Sequence, residues 1–287
     1  MKHKNLSILF LLLASILFIK CSEVKDDISQ PPILEGVHPD GFAKMNSDDF
    51  HSNAIKANNW DMESCQKCHA SNYSGGLTGV SCMDCHTQSA GPEACNTCHG
   101  VFADPDRIAP PNDMNGNYET TAKGVGAHTA HIYENTMSLG VSCFECHPGN
   151  VGSGDFVKAH IDGLPAEMQF GTIASSGLST PIYNSDLTCA NTYCHGNFEF
   201  TNDNPDLKWA YTEDVISGEN FSPKWTQVDG SQAACGTCHL LPPVGHFNSG
   251  NDPEAKTCGL TNCHTNAYNE DGSLNTFTHI DGKKTLY

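Results

Sequence analysis

Apolar residues are concentrated at the start of the chain, in a run from Leu6 to Ile19 that follows Lys2 and Lys4. A basic start and a short apolar run predict an export signal over residues 1–20, and the run is too short for a confident membrane span. Hydrophobic periodicity is weak beyond it. Residues 21–45 read as a tether, with PP at 31 and 32, mixed charge and little pattern. Residues 46–60 predict a short helix that presents His51. The run DPDRIAPPNDMNG, 104–116, predicts a loop. In AHTAHIYEN, His128 and His131 stand three apart, the spacing of one helix face. Residues 164–186 predict a hairpin.

Composition explains why the periodicity is weak. Only 38% of the 287 residues are hydrophobic, with 26 Gly and 15 Pro, so an ordinary apolar core is thin. Cysteine and histidine number 15 each. The formal net charge is −18, and loss of residues 1–20 removes three lysines and takes it to about −21. That balance excludes a basic groove for nucleic acid. It favours a basic partner, or one met through salt bridges or metal ions.

Cys21 follows the apolar run directly and precedes the acidic stretch SEVKDD. A cysteine at this junction resembles the lipidated residue of bacterial lipoproteins, which implies a membrane attachment by a lipid anchor. Lys20 departs from the usual small-residue pattern, so cleavage without lipidation and an uncleaved anchor stay open.

The other fourteen cysteines form seven pairs, and each pair ends in Cys-His. Five have two intervening residues: Cys65/Cys68-His69, Cys82/Cys85-His86, Cys95/Cys98-His99, Cys143/Cys146-His147 and Cys235/Cys238-His239. Two have four: Cys189/Cys194-His195 and Cys258/Cys263-His264. C-x-x-C-H is the attachment pattern of a c-type haem: two thiols add to the vinyl groups of the porphyrin and the next histidine becomes the proximal iron ligand. A zinc reading expects ligands in fours and gives no reason for a histidine after every second cysteine. A disulfide scaffold accounts for an even count of cysteines and for none of the histidines.

A second count agrees. Besides His3 and the seven proximal candidates, the chain has His38, His51, His128, His131, His160, His246 and His279, again seven. Seven covalent haems with two histidines each need this number. Met45, Met62, Met83, Met114, Met137 and Met168 are the competing distal ligands, and methionine would raise a haem's potential.

Two repeats suggest duplication. VSCMDCH is echoed by VSCFECH, and TCANTYCH by TCGLTNCH; KAHIDG and FTHIDG share H-I-D-G. The coarse division is residues 46–163 with four haems and 164–287 with three. Trp209 and Trp225 lie between motifs and either pack against a haem face, cover the second cluster or belong to plain core packing.

On these motifs the chain resembles the multihaem c-type cytochromes of metal-reducing and related anaerobic bacteria. The closer match covers about residues 140–287, where TCANTYCHGNF, PKW at 223–225 and CGTCHLLPPVGH at 235–246 follow the pattern of a family alternating C-x4-C-H with C-x-x-C-H. Leu240 stands where that pattern has glycine. The resemblance implies a multihaem cytochrome c fold, mostly irregular with short helices and few strands, built around a stacked haem chain. It implies an exported protein, periplasmic or at the cell surface and attached to the outer membrane. Its partners would be redox proteins, other multihaem cytochromes among them, with a metal or mineral as a further acceptor and a homo-oligomer or filament as a further assembly. The expected role is electron transfer without catalysis, at low potentials. The alternatives are a multihaem reductase with one open iron and a subunit of a conductive extracellular filament. The histidine tally advertises no open iron, and no C-x-x-C-K is present.

Overall fold

The computed structural model describes residues 36–133, 135–148, 165–247, 264 and 266–281. Cys21, His160, Cys258 and Cys263 lie outside them. The described chain is mostly turns and loops, with few helices and a few short strands, as expected from the sequence. Among the described residues no helix is long and apolar enough to cross a membrane.

The chain divides into two compact units, one of residues up to 58 with 62–85, the other of 59–61 with 86–287. The division at 163/164 expected from the repeats falls outside the described residues. The boundary falls between Cys85 and His86, inside the second motif, so Cys85 ends the first unit and its neighbouring histidine opens the second. Local contacts account for the place. Cys82 donates its N–H to the Tyr73 carbonyl at 3.0 Å and Cys85 donates to the Cys82 carbonyl at 3.3 Å, which ties both cysteines to the loop after the first motif. His86 instead meets Phe102.

The first unit holds helix α1, His51–Ala57, and helix α2, Glu63–His69. The helix expected over 46–60 is present and begins at His51 itself. α2 carries the first motif. Glu63 in its first turn and Lys67 with His69 in its last turn complement the helix dipole. Because the motif is helical, Cys65 and Cys68 fall three residues apart on one face. Met62 and Tyr73 are the buried hydrophobic residues here.

The second unit holds α3, Cys95–Cys98, and α4, His128–Ile132. Strands β1, Ile182–Tyr183, and β2, Cys189–Ala190, pair antiparallel, with Tyr183 opposite Cys189. β3, Glu199–Thr201, pairs with β4, Val215–Ser217, with Phe200 opposite Ile216. The expected hairpin therefore starts at the end of 164–186 and runs into the C-x4-C-H motif. Its second strand begins on the motif's first cysteine.

The aliphatic interior of this unit is thin, as the composition requires. Its buried hydrophobic residues are Ala94, Ala109, Val125, Ala174 and Ile216, and Val125 is the largest fully buried apolar side chain. Polar groups do part of the ordering. Asn96, 1% exposed, donates through Nδ2 to the carbonyls of Val101, Phe102 and Asp104. One amide thus folds the loop after the third motif against α3.

Candidate haem sites

Among the described residues the cysteine motifs take four local forms, one of them the plain turn and bend of residues 235–239. Two motifs are helical, in α2 and α3. The echoed motifs VSCMDCH and VSCFECH share a second form, a single 3-10 turn over Cys82–Asp84 and Cys143–Glu145. In each, the serine before the cysteine caps the turn: Ser81 Oγ accepts from Met83 N at 3.1 Å and Ser142 Oγ from Phe144 N at 3.3 Å. The second cysteines, Cys85 and Cys146, cap the turns at their C-terminal ends. A 3-10 turn eclipses residues three apart, so both cysteines again share one side.

Exposure separates the members of most pairs. Cys85, Cys95, Cys143 and Cys235 are exposed, while their partners Cys82, Cys98, Cys146 and Cys238 are part-buried. The polypeptide thus covers one thiol of each of these four pairs and leaves the other at the surface. In the echoed motifs the exposed thiol differs: it is the second cysteine, Cys85, in VSCMDCH and the first, Cys143, in VSCFECH. The repeat in sequence is therefore not a repeat of exposure, and Cys146 lies beside the C-x4-C-H cysteines.

The C-x4-C-H site is the third form. Cys189 sits on β2, the chain reverses at Asn191 with φ +59, and Tyr193–His195 form a 3-10 turn. Asn tolerates a left-handed φ better than most residues. The buried Asn197 donates Nδ2 to the Asn191 carbonyl at 2.8 Å and staples the loop. Pro223 and Trp225 hold its entry: the Pro223 carbonyl accepts from Cys189 N at 3.0 Å and Trp225 N donates to the Leu187 carbonyl at 2.7 Å. The longer spacing is a built loop, with Thr188, Asn191, Asn197, Pro223 and Trp225 all contributing.

The histidines are organised from both ends of the ring. At nine of them Nδ1 lies against a backbone carbonyl. Among proximal candidates these are His69 with Val80 (3.0 Å), His99 with Ile108 (2.5 Å), His147 with Glu167 (2.8 Å) and His239 with Leu240 (2.9 Å). Among distal candidates they are His51 with Phe42 (3.1 Å), His128 with Val125 (2.8 Å), His131 with Ala127 (2.8 Å), His246 with Phe247 (2.7 Å) and His279 with Met137 (2.6 Å). A carbonyl only accepts, so Nδ1 carries the proton and Nε2 keeps the lone pair that a metal needs. His195 differs, with Nδ1 2.7 Å from Thr192 Oγ1. Burial lowers the pKa of His128 and His195 to about 4, so both rings are neutral at pH 7.

The rings also meet in pairs. His38 and His69 have ring centres 6.2 Å apart, His128 and His147 6.3 Å, His131 and His195 6.1 Å, and His246 and His264 6.0 Å. Each pair joins a histidine that follows a cysteine to one that does not. A ring centre lies about 1.1 Å from its Nε2 and a metal–imidazole bond is about 2 Å, so two rings on opposite sides of one metal have centres about 6.2 Å apart. The four pairs therefore fit an iron held between two imidazoles. His239 and His279 are also neighbours: burial lowers the proton affinity of His279 and His239 lowers it further, against the Met137 hydrogen bond. His51 lies against Phe42 and Phe50, and His86 meets Phe102 edge-on at 5.4 Å.

Three motifs of the second unit cluster. Burial, with Cys189 and Cys194 next in effect, pushes the Cys146 thiol up to about 12. Burial raises Cys189 and Cys194 to about 11, with Glu145 and Cys238 adding to Cys194. Among the described residues none of the cysteines is in a disulfide, and no group of three or more His, Cys, Asp or Glu side chains converges on one point. Large apolar side chains stand exposed beside the motifs instead, including Val80, Phe102, Phe144, Leu240 and Phe247. Such surface is what an apolar macrocycle covers.

Trp225 lies against two distal candidates at once. Its ring centre is 4.8 Å from that of His128, edge-on, and 5.8 Å from that of His131. Its Nε1 donates to the Lys123 carbonyl at 2.8 Å. A side chain at Gly126 would collide with the indole, and Gly126 is left-handed, φ +43, so glycine is required there. Trp225 thus packs on the edge of α4, the helix that carries both histidines. Trp209 is about half exposed. The roles of Thr192 and Asn96 are not apparent from spacing alone; the one sequence signal is that Thr192 recurs as Thr261 in TCGLTNCH.

No curated protein and no solved structure matches the chain. Residues 188–239 match the family model described as "Geobacter CxxxxCH...CXXCH motif", and this segment, from Thr188 to His239, carries that family's paired haem-attachment motifs, as expected of a multihaem c-type cytochrome.

Proposed function

We propose that the protein transfers electrons through seven covalently attached c-type haems, each held between two histidines. The observation that carries this reading is the set of four imidazole pairs at 6.0–6.3 Å, each joining a motif histidine to a distant one. Each haem, when bound, supplies a one-electron ferric–ferrous couple. His69, His147, His195 and His264 would be proximal ligands, with His38, His128, His131 and His246 as their distal partners. His86, His99 and His239 are the other proximal candidates, and His51, His160 and His279 the other distal ones. With two histidines holding each iron, no coordination site would be left for a substrate, which argues for transfer without catalysis. The motif family supports haem-binding electron transfer for residues 188–239.

In this reading residues 1–20 direct export and Cys21 anchors the chain to the outer membrane, facing the periplasm or the cell surface. The partners are other multihaem cytochromes or a metal or mineral acceptor, approached through basic or cation-bridged contacts that match the acidic balance. Intact mass of the mature protein tests attachment and processing together. Seven haem masses, loss of residues 1–20 and an acyl group on Cys21 are expected. Five haems would remove the two C-x4-C-H sites from the reading. A high-spin ferric signal in the electron paramagnetic spectrum would replace it with the reductase.

A further inference from the structure

His195 is held differently from the other histidines whose Nδ1 contacts are described. Nine others place a backbone carbonyl at Nδ1. His69 has the Thr78 hydroxyl at 3.2 Å as well, but keeps the Val80 carbonyl at 3.0 Å. At His195 the hydroxyl of Thr192 takes that position, at 2.7 Å. Thr192 is 4% exposed, and its backbone is fixed too: its carbonyl accepts from His195 N at 3.1 Å and from Asn197 N at 3.2 Å. The donor–acceptor pair is therefore set inside the C-x4-C-H loop, three residues before the ligand.

The ring orientation is also different. His38 and His69 have ring planes 21° apart, and His128 and His147 14° apart. His131 and His195 cross at 79°. The orientation of a ligand ring about its metal bond is fixed by the hydrogen bond at its other nitrogen. Crossed imidazole planes act on different d orbitals of a low-spin iron and leave those orbitals nearly degenerate. Near-parallel planes act on one orbital and split the pair. The two arrangements have distinct electron paramagnetic spectra, crossed planes giving the larger anisotropy.

We propose that Thr192 is a positioning residue that holds His195 crossed to His131 and so makes the haem at Cys189/Cys194 electronically distinct from its neighbour at Cys143/Cys146. The inference rests on the ligand pairing proposed above. TCGLTNCH repeats the threonine at 261, three residues before His264; the ring planes of His264 and His246 are 38° apart, so the crossed arrangement belongs to His195 among the four pairs.

Low-temperature electron paramagnetic spectra of the fully loaded ferric protein test this, with peptide mass analysis of the 189–195 segment alongside. The wild type is expected to show a highly anisotropic low-spin species. T192V is expected to lose the signal of this site while keeping its haem, and T192S to retain it. A wild-type spectrum holding near-parallel species alone overturns the proposal, whether or not T192V accumulates. So does a haem-bearing T192V with an unchanged spectrum, and in that case the ligand pairing stands. A wild-type 189–195 peptide without haem overturns the pairing at this site and the proposal with it.

Discussion

Gly196 touches the backbone of Cys238. It follows the ligand His195, is left-handed at φ +94, and a Cβ there would collide with the Cys238 carbonyl oxygen. That carbonyl accepts from Glu219 N at 2.9 Å, while the Gly196 carbonyl accepts from Asn220 N at 3.1 Å. The segment 217–221 thus joins the C-x4-C-H motif to the C-x-x-C-H motif, and the H-G-N that follows Cys194 is part of the joint.

G196A is expected to destabilise the protein by about 2 kcal/mol or more, from the left-handed backbone and the backbone collision together. Thermal unfolding followed by haem-region circular dichroism measures it. A change within about 0.5 kcal/mol would show that the two motifs are not held in contact in solution.

His128 and His131 leave α4 three residues apart and meet His147 and His195, which belong to different motifs. H128A and H131A are each expected to convert one low-spin haem to a high-spin or five-coordinate one, and H128A/H131A to convert two. Ferric electron paramagnetic spectra count the sites. A single variant that alters no haem would remove that residue from the ligand set.

N96A removes the amide that binds three carbonyls in an almost inaccessible position. A loss of about 2–3 kcal/mol is expected, because carbonyls lose a buried donor. Chemical denaturation gives the value, and the same variant should loosen the ring of His99, whose Nδ1 contacts the Ile108 carbonyl further along that loop. N96D, which offers acceptors where donors are needed, is expected to lose at least as much.

The chain expressed without haem attachment is expected not to fold cooperatively. Among the described residues of the second unit the buried hydrophobic side chains are mostly alanines, with Val125 and Ile216, and burial of such small groups falls short of the cost of ordering the backbone. A sharp calorimetric transition in the haem-free chain would contradict this.

The sequence by itself determined the attachment chemistry, because two cysteines and a histidine within five or seven residues are bound by local geometry whatever surrounds them. It also determined that α1 and α4 carry histidines, since a helix face is set by spacing. The thin core was legible in composition. Only the tertiary structure decided which histidine faces which. His131 meets His195 across 64 positions, and nothing in the local pattern of either residue names the other. It also decided that the compact units part between Cys85 and His86, within a motif that reads as one piece in the sequence. Thr192, rather than a carbonyl, holds His195, and Trp225 packs against α4. These are long-range or side-chain-specific contacts. They depend on how the loops close, and a chain with few regular elements leaves the least trace of that closure in its sequence.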